Sequence, residues 1–199
     1  MCFLKQTGQT IEEIVARHSV GMTPEQKGEY WYELDQTLFN LLGKIDIPLI
    51  GGITNQKWAE VAQAQYPTLT DIKIPDSQYQ TTTLMGLQQI LSLEWTNQIP
   101  YVADLFDCDK FANTLYDHLC QYYKLNAIFP VWGMTTSGYH GFNCAVVQNG
   151  NDLIARLIEP QTDTIFIDTG PLGKYIPRRT AEFLAIMPIN SPALQLKRR

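Results

Sequence analysis

No apolar run in this 199-residue chain reaches the about 18 residues that a membrane-spanning helix needs. Repeats and low-complexity stretches are absent as well. Charge of one sign is scarce. The net charge is -5, and basic residues cluster only at Arg178-Arg179 and in the Lys197-Arg198-Arg199 tail, which argues against nucleic acid as a partner. There is no C-x-x-C, no H-x-x-x-H and no acidic EF-hand loop, so the chain offers no zinc spacing. The four cysteines (2, 108, 120 and 144) are not spaced as a disulfide framework, and a chain of this size does not need one. The opening Met1-Cys2-Phe3-Leu4-Lys5 turns polar too soon for a secretory signal. These absences lead us to expect a reduced, cytoplasmic protein acting on neither nucleic acid nor membranes; they say nothing about oligomeric state.

What is present is an ordinary globular composition, with 45% apolar and 11% aromatic residues, enough for a real core. The first half reads as helical. Thr10-Ile11-Glu12-Glu13 is a capping-box pattern opening a helix to about His18, and Thr23-Pro24 opens a longer one that Gly43 and Pro48 end. Asn55 starts a helix carrying Trp58, Val61 and Ala62. Residues 67–80 read as loop, and Thr82 or Thr83 starts a helix carrying Leu84, Leu87, Ile90, Leu91 and Trp95. A fifth helix begins at Cys108 and runs to about Tyr123, with Phe111, Ala112, Leu115, Tyr116, Leu119 and Tyr123 at a 3.6-residue period. The second half turns to strands over 142–147, 153–158 and 164–167, with another through 183–187. Residues 130–138 read as a loop. The expectation is an α+β fold, a helical N-terminal half followed by a mostly antiparallel β-sheet. A helical region over 1–70 would pack on a catalytic core over 71–199, or the two would form one continuous domain.

The chemistry-bearing residues come in a telling order. Cys108 lies at a helix start, His140 follows between two glycines, and Glu159 precedes Pro160-Gln161. A thiol nucleophile needs a base, and the base needs a third group to orient it. If Asn149-Gly150 is a two-residue turn, His140 stands directly opposite Glu159. A longer loop shifts the register by two, sets His140 opposite Gln161 and makes Glu159 a diagonal neighbour on the same face. At a helix N-terminus the macrodipole favours a Cys108 thiolate, while Asp107 and Asp109 oppose it. Those aspartates read as helix-start caps or as calcium or substrate contacts. The competing reading of any cysteine is an inert core thiol. That suits Cys120 and Cys144, and suits Cys108 less, because acidic neighbours suggest an accessible position. His18 and His118 read as surface histidines.

Asp107-Cys108-Asp109-Lys110-Phe111-Ala112 resembles the D-C-D-[DEK]-F-A motif of a small family of papain-like cysteine hydrolases, which includes the protease domain of the fungal Marasmius oreades agglutinin and bacterial and phage relatives. Gly138-Tyr139-His140-Gly141-Phe142-Asn143 is similar to that family's G-x-H-A-x-N, with Gly141 in place of alanine, and Glu159-Pro160-Gln161 matches its E-P-Q. The similarity spans residues 74–170. It implies a papain-like fold with Cys108 as nucleophile, His140 as base and Glu159 as orienting acid. It also raises calcium as a cofactor, with no ligands assigned. The lectin half of the agglutinin has no counterpart in residues 1–70.

The expected activity is that of a cysteine hydrolase, a peptidase working on peptide or protein through an acyl-enzyme. Supporting roles fall to Asn143, Gln161 and Tyr139, with Trp95 or Gln98 as oxyanion donors. Two alternatives stand beside it: a catalytically silent binding module with a recognition groove near Trp132, Tyr139 and Phe142, and an amidase or transglutaminase-like acyl transferase using the same thiol.

Overall fold

The computed structural model describes residues 20–23, 26, 47–99, 101, 103, 106–166 and 175–180. The chain divides into two compact units, one of Asp46–Glu182 and one of Met1–Ile45 with Phe183–Arg199. The boundary near residue 70 read from the sequence falls inside the former. In the latter, Thr23 and Gln26 bond reciprocally: Thr23 N–H donates to Gln26 Oε1 (2.9 Å) and Gln26 N–H to Thr23 Oγ1 (3.3 Å). This is the capping box that opens a helix. The two N-terminal helices expected from the sequence otherwise lie outside the described residues, as do His18 and the strand expected over 183–187.

The 46–182 unit is built on two antiparallel sheets. The small one pairs β1 (Leu49–Thr54) with β2 (Gln78–Thr82). The large one has the order β6-β5-β4-β3-β7, from β3 (Ile128–Thr135), β4 (Gly138–Asn149), β5 (Asp152–Glu159), β6 (Thr164–Phe166) and β7 (Ile176–Thr180). Among the described residues three α-helices, α1 (Asn55–Gln65), α2 (Leu84–Leu91) and α3 (Cys108–Tyr123), and a 3-10 turn at Thr96–Gln98 complete it. Thr54 and Thr83 cap the first two, accepting from Lys57 N–H (3.0 Å) and Gly86 N–H (2.8 Å).

One face of the large sheet is covered by α1. Phe129, Val131, Phe142, Cys144 and Val146 point into a core shared with Trp58, Ala62 and Tyr79. Trp58 and Tyr79 each meet the Phe129 ring edge-on at 5.0 Å, and Trp58 Nε1–H donates to the Ala127 carbonyl (3.0 Å). Each large apolar side chain so buried contributes about 1.5–3 kcal/mol. Helix α3 packs on β3 and β4 through Phe111, Ala112, Leu115 and Leu119. Its last turn closes on Lys124 in the left-handed region (φ 59°), with Leu125 N–H reaching Leu119 O at 3.0 Å.

The expected papain-like α+β fold with a helical first half does not hold. The described residues are mostly β, and the first half contributes two strands, β1 and β2, as well as helices. Residues 130–138 read as loop, yet β3 covers them as far as Thr135. Among the described residues, pairing of β3 with β7 starts at Val131, which meets Thr180. Pro177 sits in β7, which lies at the edge of the sheet.

Candidate active site

Cys108 is the first residue of α3, and its thiol is free and partly exposed. Asp107 occupies the N-cap position, but its side chain makes no capping bond. It bonds Asp109 instead. That hydrogen bond, then burial, lifts the Asp107 carboxyl above its ordinary value. Burial pushes Asp109 up too, but the bonds from Asp107 and from Lys110 (Nζ to Oδ2, 2.8 Å) outweigh it and hold Asp109 low. The aspartates beside the thiol are thus tied to each other and to a lysine, and neither caps the helix.

His140 stands near the start of β4, one residue before the point of closest approach to α3. A Cβ built on Gly141 would lie 3.3 Å from Cys108 O, Asp109 N and Asp109 Cα. Glycine lets the helix start rest on the strand here, where alanine is tight. Gly141 faces the helix, while the His140 ring lies against Phe142 (6.1 Å) and edge-on to Tyr175 (6.0 Å). Among the described residues no hydrogen bond joins the Cys108 thiol to His140.

The His140–Glu159 pair is closed. His140 Nε2 lies 2.7 Å from Glu159 Oε2, with both side chains largely buried. Tyr175 Oη–H donates to the same oxygen (2.9 Å), and Gln161 N–H donates to Oε1 (3.2 Å). A carboxylate beside Nε2 fixes the tautomer that leaves Nδ1 as the free basic nitrogen. Burial, then the bond to Glu159 and its charge, push the Tyr175 phenol up, so it stays a donor. The register is the second of the two read from the sequence. Asn149 pairs with Asp152 and Asn143 with Ile158, so Gly150-Asn151 is the two-residue turn, and Glu159 stands level with Phe142, diagonal to His140. Gly150 has φ 62°, and Asn151 is not among the positive-φ residues. That is the pattern of a II′ turn, with glycine first, rather than the I′ turn that Asn149-Gly150 suggests.

The supporting residues separate into groups. Asn143 is fully buried and donates from Nδ2 to Ala112 O (2.8 Å), pinning β4 to α3. Its Oδ1 is unpartnered. Trp95 lies along α3, away from its Cys108 end. It packs on His118 (4.8 Å) and Tyr122 (5.6 Å), ten and fourteen residues along α3; at about 1.5 Å per residue the nearer lies about 15 Å from the helix start. Gln98 donates to Asn97 Oδ1 (2.7 Å). Tyr139 is exposed and stacks flat on Trp132 (5.5 Å, 2° between planes), and Arg179 Nε–H donates to its hydroxyl (3.2 Å). Phe142 is wholly buried and belongs to no groove.

A second polar cluster escaped the sequence reading. His118, expected at the surface, is buried, with Nδ1 3.2 Å from Glu94 Oε2 and 3.1 Å from Thr96 Oγ1. Thr96 N–H also donates to Glu94 Oε2 (2.8 Å), and Asn97 Nδ2 donates to Asp163 Oδ2. Burial, reinforced by the Glu94 charge and hydrogen bond, pushes Asp163 up to about 8. Glu94 Oε1 and Asp163 Oδ1 are buried without a hydrogen-bond partner. These residues do not fit calcium, which takes six to eight oxygens. Among the described residues, no three His, Cys, Asp or Glu side chains gather at one point.

No family model matches the sequence, and no curated protein does. Solved structures do. One is the PSL1a–E64 complex, at a TM-score of 0.52 and 20% identity, covering 64% of this chain and 49% of that one. Another is a Polyporus squamosus lectin bound to a human-type influenza-binding epitope, at 0.48 and 20%, covering 58% and 45%. The chain thus spans about half the length of each. At this identity the likeness is one of fold alone. Among the described residues, no helix is long and apolar enough to cross a membrane.

Proposed function

We infer that this chain is a cysteine hydrolase acting on peptide or protein, with Cys108 as nucleophile, His140 as base and Glu159 as the group that orients the base. The observation that carries the reading is the 2.7 Å contact of Glu159 with His140 Nε2, which leaves Nδ1 free on the strand that touches the Cys108 helix start. In the reaction Cys108 Sγ attacks the carbonyl carbon and its proton passes to Nδ1. The imidazolium returns that proton to the leaving amine as the C–N bond breaks. Water, deprotonated by His140, then cleaves the thioester. The Cys108 N–H, at a helix start without a side-chain cap, is the candidate oxyanion donor. The similarity of the three motifs to those of the agglutinin-type hydrolases supports the same roles. Free Cys108, Cys120 and Cys144 suit a reducing, cytoplasmic setting.

The second reading is a binding module. Two observations favour it: the thiol and imidazole are not bonded, and Tyr139 and Trp132 form an exposed aromatic platform. An acyl transferase using an amine acceptor would share the thiol and differ only in the second step.

E64, named in one neighbour's complex, carries an epoxide that a nucleophilic thiol opens. The test is adduct mapping by mass after E64 or iodoacetamide at neutral pH. The hydrolase reading expects one fast adduct at Cys108, lost in Cys108→Ala and slowed in His140→Ala. Equal labelling of Cys2 and Cys108 leaves the binding module standing.

A further inference from the structure

A cavity of about 530 Å³ opens against His140 and Glu159, and Cys108 is not in its lining. We propose that it is the subsite for the leaving side of the scissile bond, and that it takes an uncharged residue bearing a hydroxyl or amide. This rests on the hydrolase reading for its name, though not for its ligand chemistry.

Position comes first. The proton that expels the leaving amine comes from the imidazole. The amine half of the substrate therefore departs on the imidazole's side, and a cavity lined by His140 but not by Cys108 is on that side.

The walls decide the ligand. Thr135, Thr136 and Ser137 at the β3–β4 tip meet Gln161, Thr162 and Thr164 around the β5–β6 turn. Each hydroxyl offers one donor and two acceptor sites, and an amide offers both kinds. Thr135 is engaged with Gly138 O (3.2 Å) and Ser137 N (3.2 Å), and Thr162 and Thr164 share one bond (2.8 Å). The latter pair retains a donor, and Thr136 and Ser137 are exposed. The aromatic wall is the stacked pair Phe166 and Tyr175 (4.3 Å, 30°). Among the described residues the side chains that line the cavity offer hydroxyls and an amide, and no lysine or arginine. Its one carboxylate, Glu159, is already held by three donors, so a basic ligand finds no free partner.

The test uses Cys108→Ala and the dipeptides Thr-Gly, Asn-Gly, Asp-Gly, Lys-Gly and Leu-Gly, followed by backbone NMR shifts. Thr-Gly and Asn-Gly should move the amides of 135–137 and 161–164 and bind about fivefold or more tightly than the other three. Thr136→Val with Ser137→Ala, checked for an unchanged thermal midpoint, should erase that difference. Shifts elsewhere, or equal binding of Leu-Gly, overturn the proposal. In parallel, quenched peptides varied on the leaving side are offered to the native chain. Dipeptide binding without any turnover keeps the subsite and removes the hydrolase reading. Turnover indifferent to the leaving residue removes the subsite and keeps the hydrolase.

Discussion

Tyr175 and His140 hold the same oxygen of Glu159, at 2.9 and 2.7 Å, while Gln161 N–H holds the other. One carboxylate therefore collects three donors, and its direction is set before any substrate arrives. Removing the charge and removing a donor should be separable. Glu159→Gln keeps the shape of the contact and loses the charge that steadies an imidazolium. It should lower the rate of Cys108 alkylation strongly, though less than Cys108→Ala abolishes turnover, and move the pH profile of labelling. Tyr175→Phe keeps the ring packing and loses one charge-assisted bond, commonly about 1.5–3 kcal/mol. It should cost stability of that order and a smaller share of the rate. Iodoacetamide rates against pH, with urea midpoints, check both. Superimposable profiles for native and Glu159→Gln would leave Glu159 as a strand-end carboxylate.

The thiols should differ sharply. Burial pushes Cys120 up to about 11, and complete burial carries Cys144 higher still. A thiol shifted from its ordinary value of 9.0 to about 11 holds about a hundredfold less thiolate at neutral pH. Peptide mapping after brief alkylation at pH 7 should find Cys108 modified and Cys120 and Cys144 untouched. Labelling of Cys144 before unfolding would contradict the packing of β4.

Asp163 gives a pH dependence of known sign. Its folded value, about 8, lies above the unfolded value near 3.8. The folded chain binds more protons between those limits, so this group's contribution is fully present below about pH 4 and lost as pH rises to about 8. Asp163→Asn removes the titration and keeps an acceptor for Asn97; asparagine also tolerates the φ of 55° found there. Thermal midpoints of the variant should fall less than those of the native chain between pH 5 and pH 8.

Gly133 is a steric requirement. A Cβ there would lie 2.2 Å from Ile176 O and 2.9 Å from Pro177 Cα, both backbone atoms of β7. Gly133→Ala must push β7 away, at a cost of about 1–3 kcal/mol or more. Tyr175, immediately before β7, should move with it. A lowered urea midpoint together with slower Cys108 alkylation is the expected pair of results.

The site was more legible in the chain than the fold was. Helix α3 shows its 3.6-residue stripe from Phe111 to Leu119, and Trp58 and Ala62 mark α1, because both helices bury one face against the sheet. Strand β3 was hidden by Pro130, whose tolerance depends on which neighbour pairs where. His118 lies seven residues past Phe111 and three past Leu115 on the same buried stripe, its one local sign of burial; its partners Glu94 and Thr96 lie more than twenty residues away. The His140–Glu159 pairing was visible as an alternation of faces. Its diagonal form depended on the turn at Gly150, which Asn149-Gly150 alone left open.

That turn acts as a ruler for a site at the other end of the hairpin. Side chains alternate with a period of two, so each residue added to or taken from the 150–151 loop re-indexes all of β5 against β4. An even change slides Glu159 along the face it shares with His140; an odd one sends it to the opposite face. The acid–imidazole contact is therefore sensitive to the length of a distant, exposed loop that never touches it.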